Sequence, residues 1–372
     1  MYALLFADAG LSAAQISSLF ALWSATSVAL EVPSGLWADR CSRRRLLVLA
    51  PLLTGTGFAL WTFSPSYGSF AAGFVLRGAG GSLRSGTVQA LVYEELARVG
   101  DTAAYARLAG RARSAGTSAE MAATALAAPV VAAGGHRAAG VASVLVCVAG
   151  AAVALRFPER RALPGRAGAV PPDAESPDPE PPGVEPAPGM RRLLRAGLAE
   201  VRGSRAASRA LLLASALAGL LAYEEYVPLL AVSTGAADAT VPLLLLAVST
   251  GALVGGWYAG RGARLLAPGL AAAACALACG ALSGHPAGLV LVGAAYGLGN
   301  WAEATAEARL QDRLTDRTRA TVGSLAGLGA EAVSVLVFAG YALGSAWSPP
   351  GPLLALVAVA YLALAWALRR RA

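Results

Sequence analysis

The sequence contains no lysine: all 30 of its basic residues are arginine, set against 22 acidic residues, and charged residues make up only 14% of the 372. So little charge cannot clothe a globule of this length in water-compatible surface, and a mean hydropathy of +0.57 directs the chain into a bilayer. The two histidines, His136 and His285, each stand beside a glycine in a short turn. The four cysteines form no disulfide framework, and Cys275 and Cys279 lie at helical i, i+4 spacing in an apolar run, where thiols act as small packing residues. There is no phosphate-binding glycine loop, metal-ligand cluster or nucleophile triad, so the chain is not read as an enzyme and needs no cofactor. A net charge of +8 would fit a nucleic-acid partner only if the arginines shared a soluble face, and instead they fall between apolar runs.

The clearest interruption is Gly35-Leu36-Trp37-Ala38-Asp39-Arg40-Cys41-Ser42-Arg43-Arg44-Arg45, one acid and four arginines between apolar segments at about 16–38 and 46–63. Each flanking segment is near the ~20 residues that span a bilayer, so the cluster reads as a short loop in water between two membrane helices. The spacing G-x-x-x-D-R-x-x-R-R, carried by Gly35, Asp39, Arg40, Arg43 and Arg44, resembles the loop between the second and third helices of the major facilitator superfamily of transporters. The resemblance implies that these residues latch one conformation: the glycine permits close helix approach and the charges make contacts between helices. An ordinary basic loop capping two helices is the plainer alternative.

The resemblance also implies an all-α membrane protein with two pseudo-symmetric six-helix bundles. The apolar pattern places the halves at 1–157 and 206–372, joined by a segment at 158–205. The start, Met1 to Ala9, is too short to span, and the arginine loop should follow a second helix. The expectation is therefore a first-helix remnant plus about 11 full spans. Residues 158–189 are rich in proline and acid without apolar periodicity and read as a linker. Residues 190–205 carry leucines at helical spacing against arginines and read as an amphipathic helix on the membrane surface. With the loop at Arg40–Arg45 cytoplasmic, every arginine except Arg77, Arg84 and Arg137 falls on or near that side. This orients the chain in the plasma membrane with a cytoplasmic C-terminus.

An internal repeat points the same way. Gly35, Ala38, Arg40 and Arg43 recur as Gly256, Ala259, Arg261 and Arg264; Gly116 and Glu120 recur as Gly327 and Glu331; Gly78, Gly80 and Arg84 recur as Gly297, Gly299 and Glu303.

Ionisable residues within spans are the functional candidates, because each costs several kcal/mol unless it is paired or wetted. Arg77 and Arg84, seven apart, share a face of the fourth span, and Glu31 on the second span lies at a depth where it can pair with Arg84. In the superfamily an arginine at the position of Arg77 is linked to proton transfer in drug exporters. Glu224 and Glu225 stand between Tyr223 and Tyr226 ahead of Pro228, pointing about 100° apart on a helix, so one of them faces a central cavity. Glu303 follows Asn300 and Trp301 on the tenth span, and Glu120 and Glu331 occupy repeat-related sites. A desolvated carboxylate can exchange a proton near neutral pH, and a purely structural ion pair is the competing role.

These residues lead to an expected secondary transporter, not an enzyme, that exports a small drug-like or amphipathic compound by proton antiport through alternating access and acts as a monomer. Trp23, Tyr223, Glu224, Tyr226, Trp301 and Glu303 would line a cavity for a cationic or polar-aromatic ligand. Proton-coupled uptake of a metabolite and a non-transporting membrane sensor are the alternatives.

Overall fold

The computed structural model describes residues 2–101, 104–157, 202–237, 240–259, 261–313 and 319–370; side chains are described within these ranges except at 31–40, at scattered positions between 85 and 114, and at 263 and 319–321. The expected linker, the amphipathic helix before residue 202 and the side chains of Glu31, Gly35, Asp39 and Arg40 therefore lie outside the described residues.

The described residues are helical throughout their regular structure. The first half comprises α1 (Tyr2–Asp8), α2 (Ala13–Arg40), α3 (Arg43–Phe63), α4 (Tyr67–Arg98) and α5 (Tyr105–Ala154). The second comprises α6 (Arg205–Leu220), a 3-10 turn (Leu221–Tyr226), α7 (Val227–Ser233), α8 (Val241–Trp257), α9 (Leu266–Leu282), α10 (Gly288–Gln311), α11 (Arg319–Gly344) and α12 (Pro350–Arg369). The long element α5 is two spans: Gly134 and Gly135 leave helical geometry, Gly135 at φ 61°, a conformation open to a residue without Cβ, and the chain reverses there. With α6, the 3-10 turn and α7 counted as one broken span, the described residues give each half six helical segments, the first of them, α1, only seven residues long.

Several boundaries depart from the sequence reading. The arginine cluster is hardly a loop: α2 runs through Arg40 and α3 starts at Arg43, leaving Cys41 and Ser42 between them, with the Ser42 hydroxyl accepting from the Arg45 amide at 3.4 Å as an N-cap. The polar stretch from Tyr105 to Arg113 is already helical, as the start of α5. The seventh span breaks before Pro228, not at it. An α-helix continued through this point would drive the proline ring into the carbonyl of Glu224, four residues earlier, so Leu221–Tyr226 tightens to 3-10 geometry and Pro228 takes the first turn of α7, where no bond is lost.

The two halves pack by one scheme. In the first, α4 lies against α2 and α3, and α3 against α5; in the second, α10 lies against α8 and α9, and α9 against α12. Across the halves α2 packs on α11 and α5 on α8, contacts that exchange when the halves are interchanged. Glycine permits the closest approaches: a Cβ on Gly297 would sit 2.5 Å from the carbonyl oxygen of Gly251 on α8, and a Cβ on its repeat mate Gly78 would sit 3.0 Å from the Thr26 methyl on α2. By length and apolarity, α2, α3, α5, the broken span 205–233, α11 and α12 are each able to cross a membrane. The helices α4 and α10 carry internal charges, and α8 and α9 are apolar but only 17 residues long.

Candidate functional site

The ends of α2 and α3 that carry Arg43, Arg44 and Arg45 define a basic face; the opposite face is reached at the turns Gly10, Pro65 and Gly135. On α2, Ser17, Phe20 and Ser24 recur at helical spacing and form one stripe in the part nearer the far face. This stripe meets the second half. Ser17 Oγ and the Tyr226 hydroxyl are 2.7 Å apart, Ser24 Oγ donates to Glu331 Oε2 at 2.5 Å, and the Phe20 ring lies 5.6 Å from Tyr226 and 5.4 Å from Phe338. Both serines are buried, so each hydroxyl depends on its partner across the seam.

A second bridge starts at Tyr2. Its ring is surrounded by Phe6, Phe20, Trp61 and Phe74, its hydroxyl donates to Glu225 Oε2 at 2.5 Å, and the Arg77 guanidinium lies 5.3 Å above its face. Arg77 is also 4.6 Å from the Trp23 ring, which stacks on Phe74. A cation on the π face and a carboxylate on the hydroxyl make Tyr2 the link between Arg77 of one half and Glu225 of the other. The neighbouring Glu224 turns within its own half and accepts from the Tyr296 hydroxyl. Adjacent on the 3-10 turn, the two acids point in different directions, as neighbours on any helix do.

Other residues singled out from sequence are placed elsewhere. Tyr223 and Tyr226 are 1% and 0% exposed and serve helix packing, Tyr226 stacked on Tyr341 at 3.6 Å, so neither lines an open cavity. Trp301 is buried toward the basic face: its indole N–H donates to the Arg261 carbonyl at 2.9 Å, and its ring covers Gly269. It fastens the repeat of the arginine turn to α10, which corrects its assignment to a ligand cavity. Asn300 spends its amide on the Tyr296 carbonyl one turn back, at 2.8 Å. Glu303 is half-buried on the α10 face that carries Gly299, toward Leu221 and Tyr361. Glu120 is exposed on α5, unlike its repeat mate Glu331. The pairing of Arg84 with Glu31 lies outside the described residues, as do the latch contacts of Gly35, Asp39 and Arg40. Arg43 and Arg44 occupy the first turn of α3.

Two cavities flank the seam. One, of about 660 Å³, lies wholly in the first half between α2, α3, α4 and the second limb of α5, with Trp23, Ser27, Thr54, Arg77, Arg84 and Cys147 among its walls. The other, of about 410 Å³, opens at the far face between α1, α7, α11 and α12, beside a contact of 2.9 Å between His136 Nε2 and Asp8 Oδ2.

Two helical halves that exchange by a pseudo-twofold, joined through buried polar bonds, have counterparts among known proteins. The family model of the Major Facilitator Superfamily matches residues 1–337. The chain belongs to that superfamily. No curated protein sequence matches it. Among solved structures it resembles the nucleoside transporter NupG, with a TM-score of 0.69 and 12% identity over 98% of this chain and 92% of that one. It also resembles a bacterial homologue of the human lysosomal transporter Spinster in an inward-facing, unoccupied conformation, with a TM-score of 0.56 and 15% identity over 95% of this chain and 86% of that one. At such identities the likeness shows the fold. As a facilitator-superfamily member the chain is a multi-pass membrane transporter of small molecules.

Nothing in the sequence marked Tyr2, Ser17 or Ser24. The available signal was weak: two serines seven apart on an otherwise apolar helix face, and a phenol as the first polar group of α1.

Proposed function

We propose that this transporter is a proton-coupled exporter of a small amphipathic compound, working by alternating access as a monomer in the plasma membrane with its basic face cytoplasmic. The observation that carries the coupling is that two hydrogen bonds joining the halves, Tyr2 to Glu225 and Ser24 to Glu331, both end on carboxylates. Parting of the halves at the far face breaks both bonds and delivers the carboxylates to water, where each can exchange a proton with that side. Reclosure returns the half-buried carboxylate to its hydroxyl donor on the other half. Proton occupancy and conformation are thereby linked, and linkage is reciprocal: a proton gradient biases the opening, and cargo that favours one state draws on the gradient.

Glu225 and Glu331 are favoured for this role because each accepts a hydrogen bond from a hydroxyl of the other half. Export, in preference to uptake, rests on the position of Arg77, which matches the arginine linked to proton transfer in drug exporters of this superfamily. The test is accumulation of a panel of fluorescent amphiphiles by inside-out vesicles, energised acid inside. Uphill accumulation that collapses with a protonophore is the expected result. Accumulation only in right-side-out vesicles, driven by an inward proton gradient, would reverse the direction and make the chain a symporter.

A further inference from the structure

The cavity of about 660 Å³ in the first half carries two cations: Arg77, half-buried, and Arg84, exposed into it, seven residues apart on one face of α4 and so about 10 Å apart along the helix axis. Among the described residues its walls contain no carboxylate, and neither guanidinium makes an ion pair; Arg77 rests on the faces of Tyr2 and Trp23. The walls from α3 and from the end of α5 are mainly apolar, with Leu47, Pro51 and Phe58 of α3, Val153 of α5 and Phe157 just beyond it. Guanidinium groups inside a membrane protein call for a counter-charge, and a cavity of this size, apolar on one side and cationic on the other, has the make-up of a small-molecule site.

We infer that this cavity binds an amphipathic organic anion, its carboxylate, sulfonate or phosphate held between Arg77 and Arg84 and its apolar body against α3 and the second limb of α5. This gives the proposed exporter a cargo class, and it rests on that reading. It also replaces the cationic ligand expected from sequence, since Tyr223, Tyr226 and Trp301 are committed to packing and Trp23 already faces a cation, Arg77. Arg77 then touches both the cargo and Tyr2, whose hydroxyl holds Glu225, so cargo and proton sites share one side chain.

The cavity contains its own reporter. Cys147 lines it, whereas Cys41, Cys275 and Cys279 are exposed elsewhere. In protein with those three replaced by serine, reconstituted in phosphatidylcholine nanodiscs, the rate of Cys147 modification is measured with a sulfonate-bearing and a trimethylammonium-bearing methanethiosulfonate. Each rate is normalised to that with free 2-mercaptoethanol. The inference expects a normalised preference for the anionic reagent of about fivefold or more, from the positive potential of two nearby guanidiniums. The preference should fall in R84Q and persist in R84K. 2-Naphthalenesulfonate should slow labelling, and its 2-naphthyltrimethylammonium counterpart should not.

If labelling is slowed equally by moving the protein into phosphatidylglycerol nanodiscs, the anion is a lipid headgroup, which overturns the cargo assignment. No anionic preference, or a thiol that neither reagent reaches, overturns the site itself. The labelling reads binding without transport, so failure of proton coupling would leave this result standing, and failure here would leave the coupling open to its own test.

Discussion

Removing one oxygen from Tyr2 tests the seam. Y2F deletes the hydroxyl that reaches Glu225 at 2.5 Å and keeps the ring under Arg77, so the aromatic packing and the cation contact at 5.3 Å survive. A hydrogen bond to a charged acceptor is worth roughly 1.5–3 kcal/mol. Because this bond exists only while the halves are closed at the far face, its loss moves the closed-to-open ratio by roughly 10- to 150-fold, at about 1.4 kcal/mol per factor of ten. Spin labels on cysteines replacing Gly68, whose Cα faces open space, and Trp347, 84% exposed, report the far-face separation across the two halves. In a background lacking the native cysteines, Y2F should shift the distance distribution toward the longer state. The same substitution in an E225Q protein should shift it less, because the charged acceptor is already gone. Identical distributions for parent and Y2F at every pH would show that the bond does not hold the halves closed.

Three further outcomes follow from packing and from the second bridge. S24A should widen the far face as Y2F does, and combining S24A with E331Q should add little to either alone, as read by the same spin labels. G297A sets a Cβ 2.5 Å from the Gly251 carbonyl and should lower the melting point of the purified protein, by about 1–3 kcal/mol of overpacking if α8 cannot retreat. W301F loses the bond to the Arg261 carbonyl and should destabilise by about 1 kcal/mol in a thermal melt while leaving cargo affinity unchanged, which separates a fastening residue from a binding one.

The two-half architecture was legible because apolar run length and arginine placement respond directly to the bilayer, and because glycines that admit a neighbouring backbone repeat between halves. Gly78 against α2 and Gly297 against α8 are that repeat in three dimensions. The break at Leu221–Tyr226 was half legible: Pro228 announces a fault, but the clash it causes falls four residues upstream. The site was harder to read. Charge alone drew attention to Glu225 and Glu331, yet their partners are ordinary hydroxyls on the other half, and no spacing rule connects Tyr2 to Glu225. Aromatic residues misled for a related reason. Trp301 and Tyr226 look like a ligand wall in one dimension, but a large ring next to small residues is as readily buried between helices, as Trp301 is over Gly269.

The most direct test of the account is uphill transport by E225Q and E331Q proteins, shown to be folded and inserted. The cargo is the first anionic amphiphile that the parent protein accumulates in inside-out vesicles energised acid inside. Coupling through the seam predicts that each variant still equilibrates this compound across the membrane but no longer concentrates it, and that its rate loses the pH dependence of the parent. Concentration of the compound by both variants, with the parent's pH dependence intact, would contradict the claim that these carboxylates carry the proton.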